Sequence, residues 1–101
     1  MATDSEPLDI VNNEARHRFE ARVGEQLAVL EYTLATGLIV YNHTEVPKTL
    51  EGQGIAGQLA KTALEFAQAN ELKIMPLCPY VATYIRRHPE YKALLRPGFN
   101  V

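Results

Sequence analysis

The sequence predicts a small α/β (α+β) domain with an antiparallel four-stranded meander, a helix, a parallel fifth strand and a short C-terminal helix. Three observations predict this fold. Apolar and polar residues alternate through short segments separated by turn residues, which indicates strands joined by tight reversals. A glycine-rich segment then leads into apolar residues at three- and four-residue spacing, which is typical of a helix. One more apolar segment follows, and a helical crossover suits a parallel strand.

Length and composition indicate one globular domain. The 101 residues can bury one core but not two, and 47% hydrophobic with 22% charged residues is typical of a folded protein. We expect a loose tail at residues 1–7 and a single domain at residues 8–101. The net charge of −2 favours neither nucleic acid nor an anionic membrane as a partner.

Several features predict a cytoplasmic protein. No apolar segment approaches the length of a membrane span, and the acidic N-terminus lacks the basic and apolar regions of a signal peptide. The lone Cys78 cannot form an intrachain disulfide, which agrees with a reducing compartment.

The four antiparallel strands are expected between residues 8 and 44. The first strand is Leu8 to Val11, and Asn12-Asn13-Glu14 supplies the following turn. The next three strands are predicted at residues 16–23, 26–35 and 38–44, with turns at 24–25 and 36–37. Alternation along the third strand predicts one face made of Ala28, Leu30, Tyr32 and Leu34.

The C-terminal half is predicted to be mainly helical. The first helix begins at Ile55 and runs to about Ala69, where Asn70 is a plausible stop. The fifth strand is expected at residues 72–78. A second helix then begins at Pro79, because proline is tolerated in a first turn, and ends before Pro89. A last turn is expected at residues 89–95.

The glycine loop before the first helix indicates an anion site. Gly52, Gly54 and Gly57 let the backbone approach a ligand closely, since glycine has no Cβ. The first turn of a helix presents N–H groups without intrahelical partners at the positive end of the helix dipole. The alternative is a tight loop whose glycines serve only steric needs.

The residues of this loop and its neighbours resemble the GCN5-related N-acetyltransferases. That superfamily carries an Arg/Gln-x-x-Gly-x-Gly/Ala signature here, and residues 51–56 match it at Gly54 and Ala56 but begin with Glu51. The closer likeness is to small members, the YjdJ-like or N-acetyltransferase-domain-containing type. It extends from about residue 10 to residue 96, and the shared segments are residues 43–47, 51–56, 76–81 and 87–91.

The resemblance implies an N-acetyltransferase that uses acetyl-CoA, with an amine acceptor that it does not identify. It implies that backbone N–H groups hold the cofactor pyrophosphate and that Val46 binds the pantetheine arm as an added strand would. The implied pyrophosphate residues are Gly52, Gln53, Gly54, Ile55, Ala56 and Gly57. Arg87, within a basic C-terminal stretch, would offset the phosphate charge, although a solvated helix face explains it as well.

The catalytic candidates are Tyr84, Cys78, His43 and Glu45. The resemblance implies a tyrosine acid after the fifth strand, and Tyr84 is the candidate, with Tyr80 as the competitor. Cys78, next to a helix start that favours thiolate, is a candidate nucleophile, or else a buried apolar residue. His43 and Glu45 on one strand face would accept the amine proton, or simply meet solvent. These spacings do not predict a metal site.

The short connection after the first strand is a departure from the family. Larger members have two helices there, which cover a sheet face, whereas this chain has only residues 12–15. We therefore expect an open face, suited to a large acceptor such as a protein, or to a second copy of the chain as a homodimer partner. Two other hypotheses remain, namely a non-catalytic CoA-binding or adaptor module and a small interaction domain.

Overall fold

A single five-stranded sheet runs through residues 9–101, the part of the chain that this computed structural model describes. The strands lie side by side in chain order. They are β1 (Ile10–Asn13), β2 (Arg18–Val23), β3 (Gln26–Ala35), β4 (Leu38–Glu45) and β5 (Lys73–Pro76). The first four are antiparallel, and β5 pairs with β4 in parallel, so the predicted meander and parallel fifth strand are confirmed. The expected tail at residues 1–7 lies outside the described residues.

Two helices follow β4 and β5. They are α1 (Ile55–Ala69) and α2 (Pro79–Arg87), and 3-10 turns cover Lys48–Leu50 and Pro89–Leu94. The predicted bounds of α1 are confirmed, because Asn70 ends it by donating from both its backbone N–H and its side-chain amide to the Phe66 carbonyl oxygen. The predicted start of α2 at Pro79 is also confirmed.

The predictions for the first two strands were wrong in their bounds. Asn12 and Asn13 belong to β1 rather than to a turn, because the Asn12 Oδ1 accepts a hydrogen bond of 2.6 Å from the Tyr32 hydroxyl across the sheet. The turn instead covers residues 14–17, and β2 begins at Arg18 rather than at residue 16. Leu8, the predicted start of the first strand, lies outside the described residues.

The ends of β4 and β5 also differ from the prediction. The β4 strand extends to Glu45, and β5 is shorter than the predicted 72–78. Pairing between them ends at Tyr41 and Pro76, since proline has no N–H to continue the ladder. Cys78 therefore lies at the start of α2, and the last part of β4 extends past the end of β5.

One face of the sheet carries the core beneath α1. Four aromatic rings form its centre: Phe19, Tyr32, Tyr41 and Phe66. The Phe19 ring lies 5.4 Å from Tyr32 and 5.5 Å from Phe66, which are ordinary spacings for packed aromatic pairs. Leu34, predicted on the same strand face as Ala28, Leu30 and Tyr32, pairs with the core residue Ile39 but lies near the end of β3, where its side chain is 47% exposed.

The opposite face of the sheet carries many exposed polar side chains. Arg22, Thr33, His43 and Glu45 are exposed there. Val29, on this face, is buried and lies in register between Glu20 and Glu45. Within residues 9–101, β1 and β2 are joined by a short turn rather than by helices. No helix in these residues is long and apolar enough to cross a membrane.

Candidate functional site

The loop before α1 has the backbone conformation that its glycines permit. Gly52 has φ 84° and Gly54 has φ 78°, in the left-handed region where a residue with a Cβ is strained. Gly54 is also the residue that precedes the first turn of α1, and it offers no side chain to cap the helix.

The loop leaves a run of backbone donors without acceptors. Within residues 9–101, the N–H groups of residues 52–57 donate no hydrogen bond, and the next N–H, from Gln58, reaches the Gly54 carbonyl oxygen at 3.1 Å. A helix start normally satisfies such groups with a side-chain cap, water or a ligand. This run of donors at a positive helix end is therefore suited to a phosphate group.

Two cavities adjoin this run of donors. A cavity of about 500 Å³ lies between the start of α1 and the exposed side of α2. It is lined by Ala56, Gly57, Pro79, Tyr80, Thr83, Tyr84, Arg87 and His88. A smaller one of about 100 Å³ lies between the loop and Val46, the residue after β4. Both are lined by Ala56 and Gly57, so they form one groove over the first turn of α1.

Gly57 forms part of the floor of this groove. An added Cβ would meet no atom within 4 Å, and its φ is not in the left-handed region. No packing contact or backbone conformation therefore requires glycine here, although glycine costs about 1 kcal/mol relative to alanine in a helix. Its absent side chain does keep the floor of the groove open.

Cys78 lies beneath the groove rather than in its lining. The side chain is fully buried, and its Sγ lies 3.0 Å from the Thr44 Oγ1, within hydrogen-bond distance. Its N–H donates to the Tyr41 carbonyl oxygen at 2.9 Å, and its own carbonyl oxygen accepts from the Ala82 N–H. Cys78 thus connects the first turn of α2 to β4 at the point where β5 ends.

Tyr84 and Tyr80 both line the larger cavity. Tyr80 is 52% exposed, whereas Tyr84 is half-buried against α1 and the C-terminal 3-10 turn. Burial raises the pKa of the Tyr84 phenol, and Tyr91, Glu65 and Glu90 raise it further. The Tyr84 hydroxyl has no hydrogen-bond partner within residues 9–101, unlike those of the core tyrosines.

His43 and Glu45 lie together on the open face of β4. The His43 Nε2 and Glu45 Oε1 atoms are 3.6 Å apart, and the two side chains are 57% and 75% exposed. They lie on one face near the end of β4, as the sequence predicted, in the part of the strand that extends past β5. Neither lines the groove described above.

The charged candidates lie at the two ends of the groove. Arg87 lines the larger cavity, is exposed, and forms no ion pair within the described chain. Glu51 lines the smaller cavity and is also exposed, so its carboxylate has access to solvent.

Sequence reasoning gave no role to Thr44, Thr83 or His88. Thr44 is the buried polar residue opposite Cys78, and the other two line the larger cavity. His88 lies four residues after Tyr84, a spacing that places two side chains on one helix face, so the sequence did contain that signal. The burial of Thr44 depends on where β5 ends, which the sequence did not reveal.

Metal binding receives no support from the described residues. Within residues 9–101 no group of three or more His, Cys, Asp or Glu side chains is close enough to hold an ion.

Comparison with known proteins identifies the family. The family model described as GCN5-related N-acetyl-transferase matches residues 18–94. Protein NATD1 from Mus musculus is 35% identical over 96 residues, which covers 90% of this chain and 87% of the relative. Protein NATD1 from Homo sapiens is also 35% identical, and the match covers 90% of this chain and 85% of that protein.

A solved structure agrees with the sequence matches. The solution structure of a GCN5-like protein from Staphylococcus aureus superposes with a TM-score of 0.69 at 25% identity, and the match covers 95% of this chain and 92% of that one. The family match spans most of the chain, from β2 to the C-terminal 3-10 turn. The chain belongs to the GCN5-related N-acetyltransferase family.

Proposed function

We propose that this protein is an acetyl-CoA-dependent N-acetyltransferase. The observation that carries the proposal is the run of unpaired N–H groups at residues 52–57, which borders a groove of suitable size at the start of α1. Family membership makes acetyl-CoA the expected ligand. Backbone donors at a helix start recognise a pyrophosphate without requiring a positive side chain, which explains why Glu51 is tolerated.

The residues of the groove fit the cofactor. Gly52 to Gly57 would hold the pyrophosphate, and the open floor at Gly57 allows a close approach of the backbone. Val46 lines the smaller cavity next to the unpaired end of β4, where backbone groups are available to a pantetheine amide. Arg87 lies in the lining of the larger cavity and would offset phosphate charge.

Bound acetyl-CoA would supply an acetyl thioester, whose C–S bond breaks as the acceptor nitrogen forms a bond to the acetyl carbon. The nitrogen loses a proton, and the departing sulfur gains one. Tyr84 is the acid in this proposal, because its hydroxyl lacks a partner in the described chain and its side chain lines the cavity. The raised pKa keeps that hydroxyl protonated at neutral pH.

The proton from the amine would go to His43, directly or through water. Glu45, 3.6 Å from its Nε2, would stabilise the imidazolium that results. Both side chains lie on the open face of the sheet, where a bulky acceptor such as a protein has room to approach. That face would equally accommodate a second copy of the chain.

A covalent route through Cys78 is the alternative chemistry. Its thiolate would take the acetyl group from sulfur to sulfur and then pass it to the amine. The complete burial of Cys78 and its contact with Thr44 favour the direct route instead. Mass spectrometry after incubation with acetyl-CoA would decide, because a Cys78 acetyl adduct that disappears when an acceptor is added would establish the covalent route.

The experiment that tests the function combines calorimetry with an acceptor screen. We expect acetyl-CoA to bind and at least one amine in a panel of peptides, polyamines and small amines to be acetylated. No heat of binding and no thermal shift at millimolar acetyl-CoA would overturn the proposal. Binding without turnover on any acceptor would indicate a CoA-binding or adaptor module, which the high exposure of His43 and Glu45 favours as the second candidate.

A further inference from the structure

Two aromatic rings lie parallel on the cavity side of α2, and they point to a role for a residue outside the proposed catalytic set. We infer that His88 is a positioning residue, whose ring holds the Tyr84 ring in the orientation that presents its hydroxyl to the cavity. The inference rests on the proposed transferase function, in which Tyr84 is the acid. It adds that this acid is oriented by stacking rather than by a hydrogen bond at its hydroxyl.

The geometry of the pair supports this role. The ring centroids of Tyr84 and His88 are 4.0 Å apart and the ring planes differ by 16°, which is a close parallel stack. The His88 Nδ1 lies 2.9 Å from the Tyr84 carbonyl oxygen, and the His88 backbone N–H donates to the same oxygen. His88 is therefore fixed at the end of α2 through both its backbone and its ring.

The Tyr84 hydroxyl itself is unconstrained within the described chain. The core tyrosines Tyr32 and Tyr41 have hydroxyls that donate to Asn12 and to the Ala63 carbonyl oxygen, respectively. The Tyr84 hydroxyl has no such partner, so contacts with its ring must set its direction. Besides His88, the Tyr91 ring lies 6.1 Å away at 44°, too tilted and distant to fix the plane alone.

The charges around Tyr84 do not replace this contact. Glu65 of α1 and Glu90 of the C-terminal 3-10 turn act on Tyr84 together with the Tyr91 phenol, and Arg87 lies beside it in the cavity lining. The carboxylates favour the protonated phenol, so they keep a proton available for transfer. They do not determine the direction of the Tyr84 O–H group. Stacking of this strength would shift the population of two ring orientations by roughly two- to tenfold.

Three variants of His88 separate the ring from the hydrogen bond. His88→Phe keeps a flat ring and loses the Nδ1 contact, His88→Gln keeps a polar group without the ring, and His88→Leu removes both. We expect kcat to fall roughly two- to tenfold for the Leu and Gln variants and to be mostly retained in His88→Phe. A larger change in KM for acetyl-CoA than in kcat would overturn the inference, since it would indicate a cofactor contact. Gln68→Leu, at an exposed position in α1, is the control for helix-surface changes.

A double-mutant cycle with Tyr84→Phe completes the test. If His88 acts through the Tyr84 hydroxyl, His88→Leu should lower kcat in the wild-type background and have little effect in the Tyr84→Phe background. If the fold losses in kcat of the two single variants multiplied in the double variant, the two residues would act independently and the positioning role would be overturned. If Tyr84→Phe alone retained full kcat, Tyr84 would not be the acid. That result differs from the one that overturns the positioning role of His88, so the experiment distinguishes a failure of the proposed mechanism from a failure of this inference. Thermal unfolding and acetyl-CoA affinity of each variant verify that the groove is folded.

Discussion

The two helix starts beside the groove are built in opposite ways. α1 begins after Gly54, which has no side chain to cap it, and the N–H groups of residues 52–57 donate no hydrogen bond within the described chain. α2 begins after Cys78, whose backbone and side chain both contact β4, and continues with Pro79, which has no N–H to satisfy.

The difference supports the proposal that the start of α1 serves binding, whereas the start of α2 serves anchoring. The open start of α1 forgoes stabilising capping bonds, each of which is typically worth about 1 kcal/mol, and leaves donors for an anion. The closed start of α2 fixes the Tyr80 and Tyr84 side of the groove to the sheet. A rigid wall next to a run of free donors suits a ligand that spans both. The predictions below alter one of these two starts or, for Tyr41, the contact that holds the middle of α1.

The largest expected effect comes from Gly54→Ala. Because Gly54 has φ 78°, alanine should destabilise the fold by about 1–2 kcal/mol and displace the loop, weakening acetyl-CoA binding by roughly tenfold or more. Gly24→Ala is the matched control, since Gly24 has φ 62°, lies in the β2–β3 turn, and also has nothing within 4 Å of an added Cβ. Urea denaturation should show similar losses for both variants, and calorimetry should show weaker binding only for Gly54→Ala. Equal affinities would remove the loop from the binding site.

Cys78→Ala should open the closed start of α2. The variant loses a fully buried sulfur atom and its contact with Thr44, at a cost of about 1–2 kcal/mol in the free energy of unfolding. Thr44→Val keeps nearly the same volume and removes only the hydroxyl, so it should cost less, about 0.5–1.5 kcal/mol. Urea midpoints measure both. A Cys78→Ala variant with unchanged stability and acetyl-CoA affinity but no turnover would contradict an anchoring role and favour the nucleophile.

Tyr41→Phe tests how the body of α1 is held while its start stays open. The Tyr41 hydroxyl donates to the Ala63 carbonyl oxygen in α1, so its loss should cost about 1 kcal/mol at neutral pH. Burial raises the pKa of Tyr41 above its ordinary value of 10.0, and Tyr32 adds to the rise. The stability that this phenol contributes is present below pH 10 and is lost at higher pH, where only the unfolded chain ionises readily.

The pH dependence of unfolding provides the control for this variant. Urea denaturation of the wild type should show a steep fall in stability above about pH 10, and Tyr41→Phe should make that fall shallower. It should not abolish the fall, because burial also raises the pKa of Tyr32. An identical slope in wild type and Tyr41→Phe would contradict the burial of the phenol.

The sequence predicted the elements well where local chemistry decides them. Alternation located β3, and Asn70 and Pro79 marked the end of α1 and the start of α2, because propensity and capping act within a few residues. It failed where a partner far along the chain decides. Asn12 suggested a turn, but its side chain accepts a hydrogen bond from Tyr32 across the sheet.

The candidate site was predictable to a similar extent. The glycine loop could be located because its residue types dictate its backbone conformation, and Tyr84 and Arg87 do line the groove. The surroundings of Cys78 could not be predicted, since a helix start after a strand predicts either a reactive thiolate or a buried thiol. The outcome depends on Thr44, which lies 34 residues earlier in the chain and meets Cys78 only because β5 ends at Pro76.

Gly57→Ala is the smallest expected change in stability and the sharpest test of the open helix start. Gly57 has ordinary helical geometry and no atom within 4 Å of an added Cβ, so alanine should raise the free energy of unfolding by about 0.5–1 kcal/mol. The same methyl group would stand on the floor of the groove and weaken acetyl-CoA binding. Thermal unfolding and calorimetry on one protein sample measure both. A variant that is more stable but binds acetyl-CoA less tightly would mean that glycine at this position lowers stability and, in return, leaves the backbone accessible to the ligand. Unchanged affinity would place the ligand away from the first turn of α1.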